Sequence, residues 1–284
     1  MATQTRIIVR AITPAVGAVI EGVDLRRGLP DEDIATIRAA ALDHGVLFFR
    51  DQDITREQTA TFMSRFGELT IDPYAKAYGM EGLPVEALVH DMPTYGNRNA
   101  TAIWHIDSTL GAQPASFLSL RALKLPPGGG GDTCWGSMIA AYETLSEPVK
   151  DMIDGLYAEH SGTLTLALLD PGDRHVLDEP MRNVHPVVRV HPETDRRALF
   201  VNELWTDHIV GVSQLESDAI LAMLYRHSQR AEFTMRWQWR ENDLALWDNR
   251  SFQHYAVRDY EGERVLQKAY VKGDVPFGPR PSAT

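Results

Sequence analysis

Apolar residues recur with two different periods along the chain, and the switches between them mark the elements. In Asp31–His44, Ile34, Ile37 and Ala41 fall on one helical face, and Gly45 is placed to stop the helix. Thr55 and Gln58 have capping-box spacing, which predicts a helix to about Phe66, before Gly67. Residues 138–155 read as helical, with Pro148 suited to the first turn of a second helix starting near Ser146. Ser213 and Glu216 form another capping box, behind which Leu215, Ala219, Met223 and Leu224 repeat at helical spacing. Strand signals differ. Val46–Phe49 is continuously apolar, as in a strand buried on both faces. Phe233, Met235, Trp237 and Trp239 alternate with Thr234, Arg236, Gln238 and Arg240, the period of a half-buried antiparallel strand. Residues 187–190 and 198–201 are short β-rich segments with a turn between them. Many short strands with interspersed helices predict a mainly β fold, a sandwich or jelly roll with helical insertions. Regular β-α alternation is missing, so a doubly wound fold fits less well.

Composition narrows the options. The chain has 28 Lys+Arg against 39 Asp+Glu, a formal charge of −11, which argues against nucleic-acid or membrane-surface binding. Its 284 residues can bury roughly three quarters of the unfolded surface, so no staple is needed. The single cysteine, Cys134, excludes an intramolecular disulfide and a cysteine-rich zinc site. It reads as a small buried hydrophobe. No leader-like or membrane-length apolar run is visible, and the expected compartment is the cytoplasm. No composition break divides the chain, so residues 1–284 read as one domain. Residues 74–102 are long and weakly periodic, the mark of an active-site lid. Gly128 to Gly131 lack a following Gly-Lys-Ser/Thr and read as a turn into a strand rather than a phosphate loop. His185 and His191, each before a proline, read as turn residues, and Trp237, Trp239 and Trp247 as core.

The chemistry concentrates in Trp104-His105-Ile106-Asp107. On a strand, His105 and Asp107 would share a face while Ile106 turns the other way. Two ligands do not fix a metal, and the best third is His254. Two imidazoles and one carboxylate make the facial triad of non-haem Fe(II) oxygenases, with three open positions on one side. Ten histidines offer other pairings, so spacing alone leaves this open. Two open positions suit a chelating 2-oxo acid and one suits dioxygen. Arg264 follows His254 closely enough to return beside it, and its guanidinium would grip the far carboxylate of a 2-oxo diacid. Thr133 adds a hydroxyl donor.

These segments resemble the TauD/TfdA family of Fe(II)- and 2-oxoglutarate-dependent dioxygenases nearly end to end. The resemblance is carried by residues 17–25, Phe66-Gly67-Glu68-Leu69, Trp104-His105-Ile106-Asp107 and Gly130-Gly131-Asp132-Thr133. It continues through His185-Pro186-Val187-Val188-Arg189, residues 199–203, Trp247-Asp248-Asn249-Arg250 and His254-Tyr255-Ala256. It implies a double-stranded β-helix, a cupin-like jelly roll with helices outside. It implies iron on His105, Asp107 and His254, and the side carboxylate of 2-oxoglutarate on Thr133 and Arg264. The implied reaction couples decarboxylation of 2-oxoglutarate to succinate with hydroxylation of an unactivated C–H bond in a small organic acid or zwitterion. C–S or C–O cleavage follows where the new hydroxyl sits beside a heteroatom. With Asp107 present as a carboxylate, halogenation is disfavoured.

The sequence also departs from the family. Lys268 stands where taurine-using members have a second arginine, and Asp72 stands where they have a histidine. A lysine lacks the bidentate fork, and an acid at 72 would repel a sulfonate, so taurine itself is disfavoured. Around Ser161 and Gly162 an aromatic is replaced, which would enlarge the pocket. Trp205 is a further substrate-pocket candidate. The expected partners are a small-molecule substrate and further copies of the chain, as a dimer or tetramer. The alternatives are a non-catalytic jelly-roll binding protein and a zinc hydrolase on the same three ligands, for which no general base is evident.

Overall fold

Val46–Phe49 lies between two hydrophobic layers, which is why its apolar run has no polar break. Leu47 and Phe49 join a cluster with the helices Asp31–His44 and Arg56–Ser64, while Val46 and Phe48 join another with Trp135, Trp237 and Trp247. The computed structural model describes residues 6–71, 88–95, 102–163 and 181–279. Among these, the main sheet runs Ile8–Ala11, Ala18–Glu21, Val46–Phe49, Leu244–Asp248, Phe117–Lys124, Glu263–Val271, Leu69–Thr70, with His90–Tyr95 also paired to Glu263–Val271. Its pairings are antiparallel except Ala18–Glu21 with Val46–Phe49.

A smaller antiparallel sheet, Thr234–Trp237, Thr133–Ser137 and Phe252–Ala256, faces the main one. Phe48 stacks on Trp237 with centroids 3.8 Å apart and meets Trp135 edge-on at 5.3 Å, so aromatic rings fill the space between the sheets. Two facing, largely antiparallel sheets with helices outside are the jelly roll that the strand pattern predicts. Among the described residues no helix is long and apolar enough to cross a membrane.

Most predicted elements form where expected. Asp31–His44 buries Ile34, Ile37, Ala40 and Ala41, and Gly45 ends it at φ 75°. Both capping boxes close, Thr55 with Gln58 and Ser213 with Glu216. Met138–Glu143 and Glu147–Ile153 are separate helices, with Ser146 and Pro148 at the second start. Val188–Val190 and Arg197–Leu199 pair as a hairpin.

The differences have local causes. The second helix ends at Ser64, because the amides of Arg65 and Phe66 bond three residues back, to Phe62 and Met63, and tighten the last turn. Gln214–Ser228 turns a different face inward: Leu215 is 80% exposed, and Ser217, Leu221 and Leu224 are buried. Ser217 fixes that face by accepting the Ile209 amide at 2.9 Å. Phe233 closes a short 3-10 turn, and the strand itself is only Thr234–Trp237, though Trp239 is still buried. His185 lies in the strand Arg182–Pro186 rather than a turn, buried with its Nε2 2.9 Å from the Thr109 carbonyl, whereas His191 does open the turn to Arg196 and is also buried, its Nε2 3.0 Å from Asp248.

Residues 72–87 and 96–101, which hold Asp72 and most of the expected lid, lie outside the described residues. Within the range 74–102, His90–Tyr95 forms a strand against Glu263–Val271.

Candidate active site

Four chain segments from both sheets build the site. Strand alternation places Arg264, Leu266, Lys268 and Tyr270 on one face of Glu263–Val271, and Leu266 and Tyr270 enter the core cluster between the sheets. On the smaller sheet, Thr133 and Trp135 lie opposite Ala256 and His254 and share their inward face. Cys134, between them, turns away and is half-buried rather than fully buried; that burial pushes its thiol up to about 11, so it stays protonated at neutral pH.

His105 reaches the site by a route that the sequence shows only in part. It forms a single antiparallel rung with His254, each backbone N–H donating to the other's carbonyl, at 3.0 and 2.8 Å. The strand goes no further. Asp107 opens a turn, and Ser108 follows in the left-handed region at φ 64°. Ile106 faces the opposite way, into the hydrophobic cluster of the outer helices.

The three side chains converge. His105 Nε2 lies 3.8 Å from Asp107 Oδ1 and His254 Nε2 lies 3.5 Å from Asp107 Oδ2. One ligand atom from each lies within 4.8 Å of the other two, and all three residues are buried. Burial holds both imidazoles below the usual histidine range, His254 furthest, so both are neutral. Burial pushes the Asp107 carboxyl up, but the Lys268 ammonium, by its charge and its hydrogen bond, outweighs it and holds it well below the usual carboxylate range. Two neutral imidazoles beside one carboxylate are the protonation states that metal binding needs. His105 Nδ1 lies 2.7 Å from the Ile103 carbonyl, which fixes its proton there and leaves Nε2 its lone pair. His254 Nδ1 finds no hydrogen-bond partner among the described residues, and its ring packs on Trp247 at 5.0 Å.

Arg264 and Thr133 meet on the same inward faces that carry Lys268 and His254. Arg264 is buried, its Nη2 donates to Thr133 Oγ1 at 3.2 Å, and its Nε finds no partner among the described residues. Asp132, whose charge acts on Arg264, is itself paired with Arg236. Among the described residues no carboxylate pairs with Arg264. Burial pushes its guanidinium down to about 10, still charged at neutral pH. A buried, charged arginine without a counter-ion is built for an anion from outside the chain.

Of the substrate candidates, Lys268 is at the site but bound to Asp107, Nζ to Oδ2 at 2.6 Å. Trp205 meets the His105 ring edge-on at 5.6 Å. Two residues with no assigned role in the sequence reading also belong here. Asn249 clamps Asp107, and Trp239 donates its indole N–H to Thr133 Oγ1 at 3.0 Å. Trp-Asp-Asn-Arg points to the first of them, since Asp248 binds Arg250 through both oxygens and so pins the turn that presents Asn249.

Residues 8–270 match the family described as taurine catabolism dioxygenase TauD, TfdA family. The chain belongs to the TauD/TfdA family. It is 35% identical to an alpha-ketoglutarate-dependent sulfate ester dioxygenase of Pseudomonas putida, over 95% of this chain and 91% of that protein. A crystal structure of a taurine dioxygenase from Burkholderia xenovorans superposes with TM-score 0.81 at 37% identity, covering 96% of this chain and 93% of that one. AAD-2, in complex with Mn(II) and N-oxalylglycine, superposes with TM-score 0.80 at 27% identity, covering 95% and 99%. This TauD/TfdA protein is an oxidoreductase, a dioxygenase that uses Fe(II), 2-oxoglutarate and O2.

Proposed function

We propose that His105, Asp107 and His254 hold Fe(II), that Thr133 and Arg264 hold the distal carboxylate of 2-oxoglutarate, and that the enzyme hydroxylates a C–H bond of a small organic acid or zwitterion. The observation that carries the reading is the convergence of three buried donors within 4.8 Å in the right protonation states. When bound, the metal would let O2 act as the oxidant, with 2-oxoglutarate oxidised to succinate and CO2 alongside the substrate. The protein positions. One face of one strand aligns Arg264 with Lys268, four residues apart and so about 13 Å along the strand. The core tryptophans keep water from that face.

Lys268 supports a substrate other than taurine. Its ammonium is a point charge with three donors, one of them committed to Asp107. It has less to offer a sulfonate than a bidentate arginine has. Lys268 would meet the SO3 group of a sulfate ester as it meets that of a sulfonate, so a sulfate ester rests on the relative from Pseudomonas putida instead, and hydroxylation of its oxygen-bearing carbon would release sulfate by C–O cleavage.

The test measures succinate formation with Fe(II), 2-oxoglutarate and O2 against alkyl sulfate esters, sulfonates, aryloxy acids and amino-acid derivatives. Succinate is expected only with an accepted substrate, and His105→Ala is expected to abolish it. Taurine turned over as fast as the best compound of the panel would overturn the substrate reading, and undiminished succinate from His105→Ala would overturn the iron site.

A further inference from the structure

Thr133 Oγ1 receives two hydrogen bonds, from Trp239 Nε1 at 3.0 Å and from Arg264 Nη2 at 3.2 Å. Neither donor can reverse its role. An indole nitrogen and a guanidinium only donate. The hydroxyl oxygen has two lone pairs, and both are taken. Its one proton is therefore available for a third group. All three side chains are buried, so that group is not bulk water. Arg264 Nε, also buried, is a second donor without an acceptor at the same place.

From this we propose that Trp239 is a positioning residue for the co-substrate: its indole N–H occupies a lone pair of Thr133 and so aims the Thr133 O–H at the carboxylate that Arg264 holds. Without the indole, the hydroxyl would rotate and pair with whatever acceptor is nearest, and the carboxylate would lose a directed donor. Trp239 itself touches no substrate. The sheet makes the arrangement possible. Thr133 lies opposite Trp237 in the register, and Trp239 continues the buried alternation of Met235 and Trp237 just past the strand end.

The inference rests on the assignment of Thr133 and Arg264 to 2-oxoglutarate, and the test separates the two. Affinity is measured anaerobically by calorimetry on the Fe(II)-loaded protein, for 2-oxoglutarate and for 2-oxobutyrate, which lacks the distal carboxylate. Trp239→Phe is expected to weaken 2-oxoglutarate about five- to tenfold and to leave 2-oxobutyrate unchanged, since one directed hydrogen bond is lost. In the Thr133→Val background the same substitution is expected to add nothing. Trp239→Tyr, which also lacks the indole N–H, is the second variant should the first not fold. Unchanged affinity in Trp239→Phe, or equal weakening of both 2-oxo acids, overturns the role of Trp239. If Thr133→Val also leaves 2-oxoglutarate binding unchanged, the carboxylate assignment falls with it.

Discussion

Asn249 holds Asp107 by both ends of its backbone. Its Oδ1 accepts the Asp107 amide at 3.1 Å, and its Nδ2 donates to the Asp107 carbonyl at 2.9 Å and to the Ala115 carbonyl at 3.0 Å. The acid sits in a turn rather than a strand, so no ladder fixes it, and the amide does so instead. Asn249→Ala is expected to weaken Fe(II) binding about 10- to 100-fold, the range for loss of a group that orients a ligand. Asn249→Asp would lose both donated bonds and set a charge beside Asp107, so it should not rescue. Anaerobic Fe(II) titration checks this, and wild-type affinity in Asn249→Ala would show that the turn holds itself.

The ammonium of Lys268 gives Asp107 a buried counter-charge before any metal arrives. In Lys268→Met that charge is gone, and the metal-free fold carries an uncompensated carboxylate, a cost of about 3–5 kcal/mol for a buried pair. A divalent cation restores the balance. The rise in Tm on adding Mn(II) should therefore be larger in Lys268→Met than in the wild type, and an equal rise would show that the ion pair is not what neutralises Asp107.

Gly131 is the tight point of the carboxylate receptor. It lies at φ +70°, and a Cβ there would come 2.8 Å from Arg264 Cδ and 3.2 Å from Nε. Gly131→Ala is expected to displace the guanidinium and raise the KM for 2-oxoglutarate about tenfold or more, the effect of losing a well-placed charged hydrogen bond. Fe(II) affinity should hold. Both constants can be read from one preparation, and parallel losses would place the defect in the fold rather than at Arg264.

Acid sensitivity should come partly from His160 and His185. Burial holds both below the usual histidine range, and their rings lie 5.2 Å apart. His160 Nδ1 pairs with Thr109 Oγ1 at 3.0 Å, and His185 holds the Thr109 carbonyl, two residues past Asp107. A depressed histidine binds its proton in the unfolded chain first, so stability is full above the ordinary value near 6.5 and falls as the pH drops below it. Tm measured from pH 7.5 to 5 should decline. His185→Gln, lower in Tm at pH 7.5, should decline less steeply, and an identical slope would exclude the pair as a source.

How much of this was legible in the sequence follows from the range of each interaction. Capping boxes and the double-sided burial of Val46–Phe49 are local, and Thr55, Ser213 and the apolar run announced them. His105 and Asp107 stood out as near neighbours of metal-ligating type, but the distant His254 was singled out among ten histidines only by the resemblance to the family. The roles of Asn249, Trp239 and Lys268 were not, since each acts on a residue more than a hundred positions away. The inward face of Gln214–Ser228 was misread because a side-chain bond from Ser217, not apolar spacing, decides it. His185 looked like a turn residue because a following proline hides its strand and its buried partner.

The lone rung between His105 and His254 ties two imidazoles together through main chain alone. Neither backbone can drift without breaking those bonds, which leaves only the ring torsions to be set by Ile103, Trp205 and Trp247. The same rung joins an early segment to one of the last. A growing polypeptide offers only a histidine and an acid until that late segment docks. Ferrous ion should therefore be captured after the barrel has closed, and its uptake can serve as a clock for the final step of maturation.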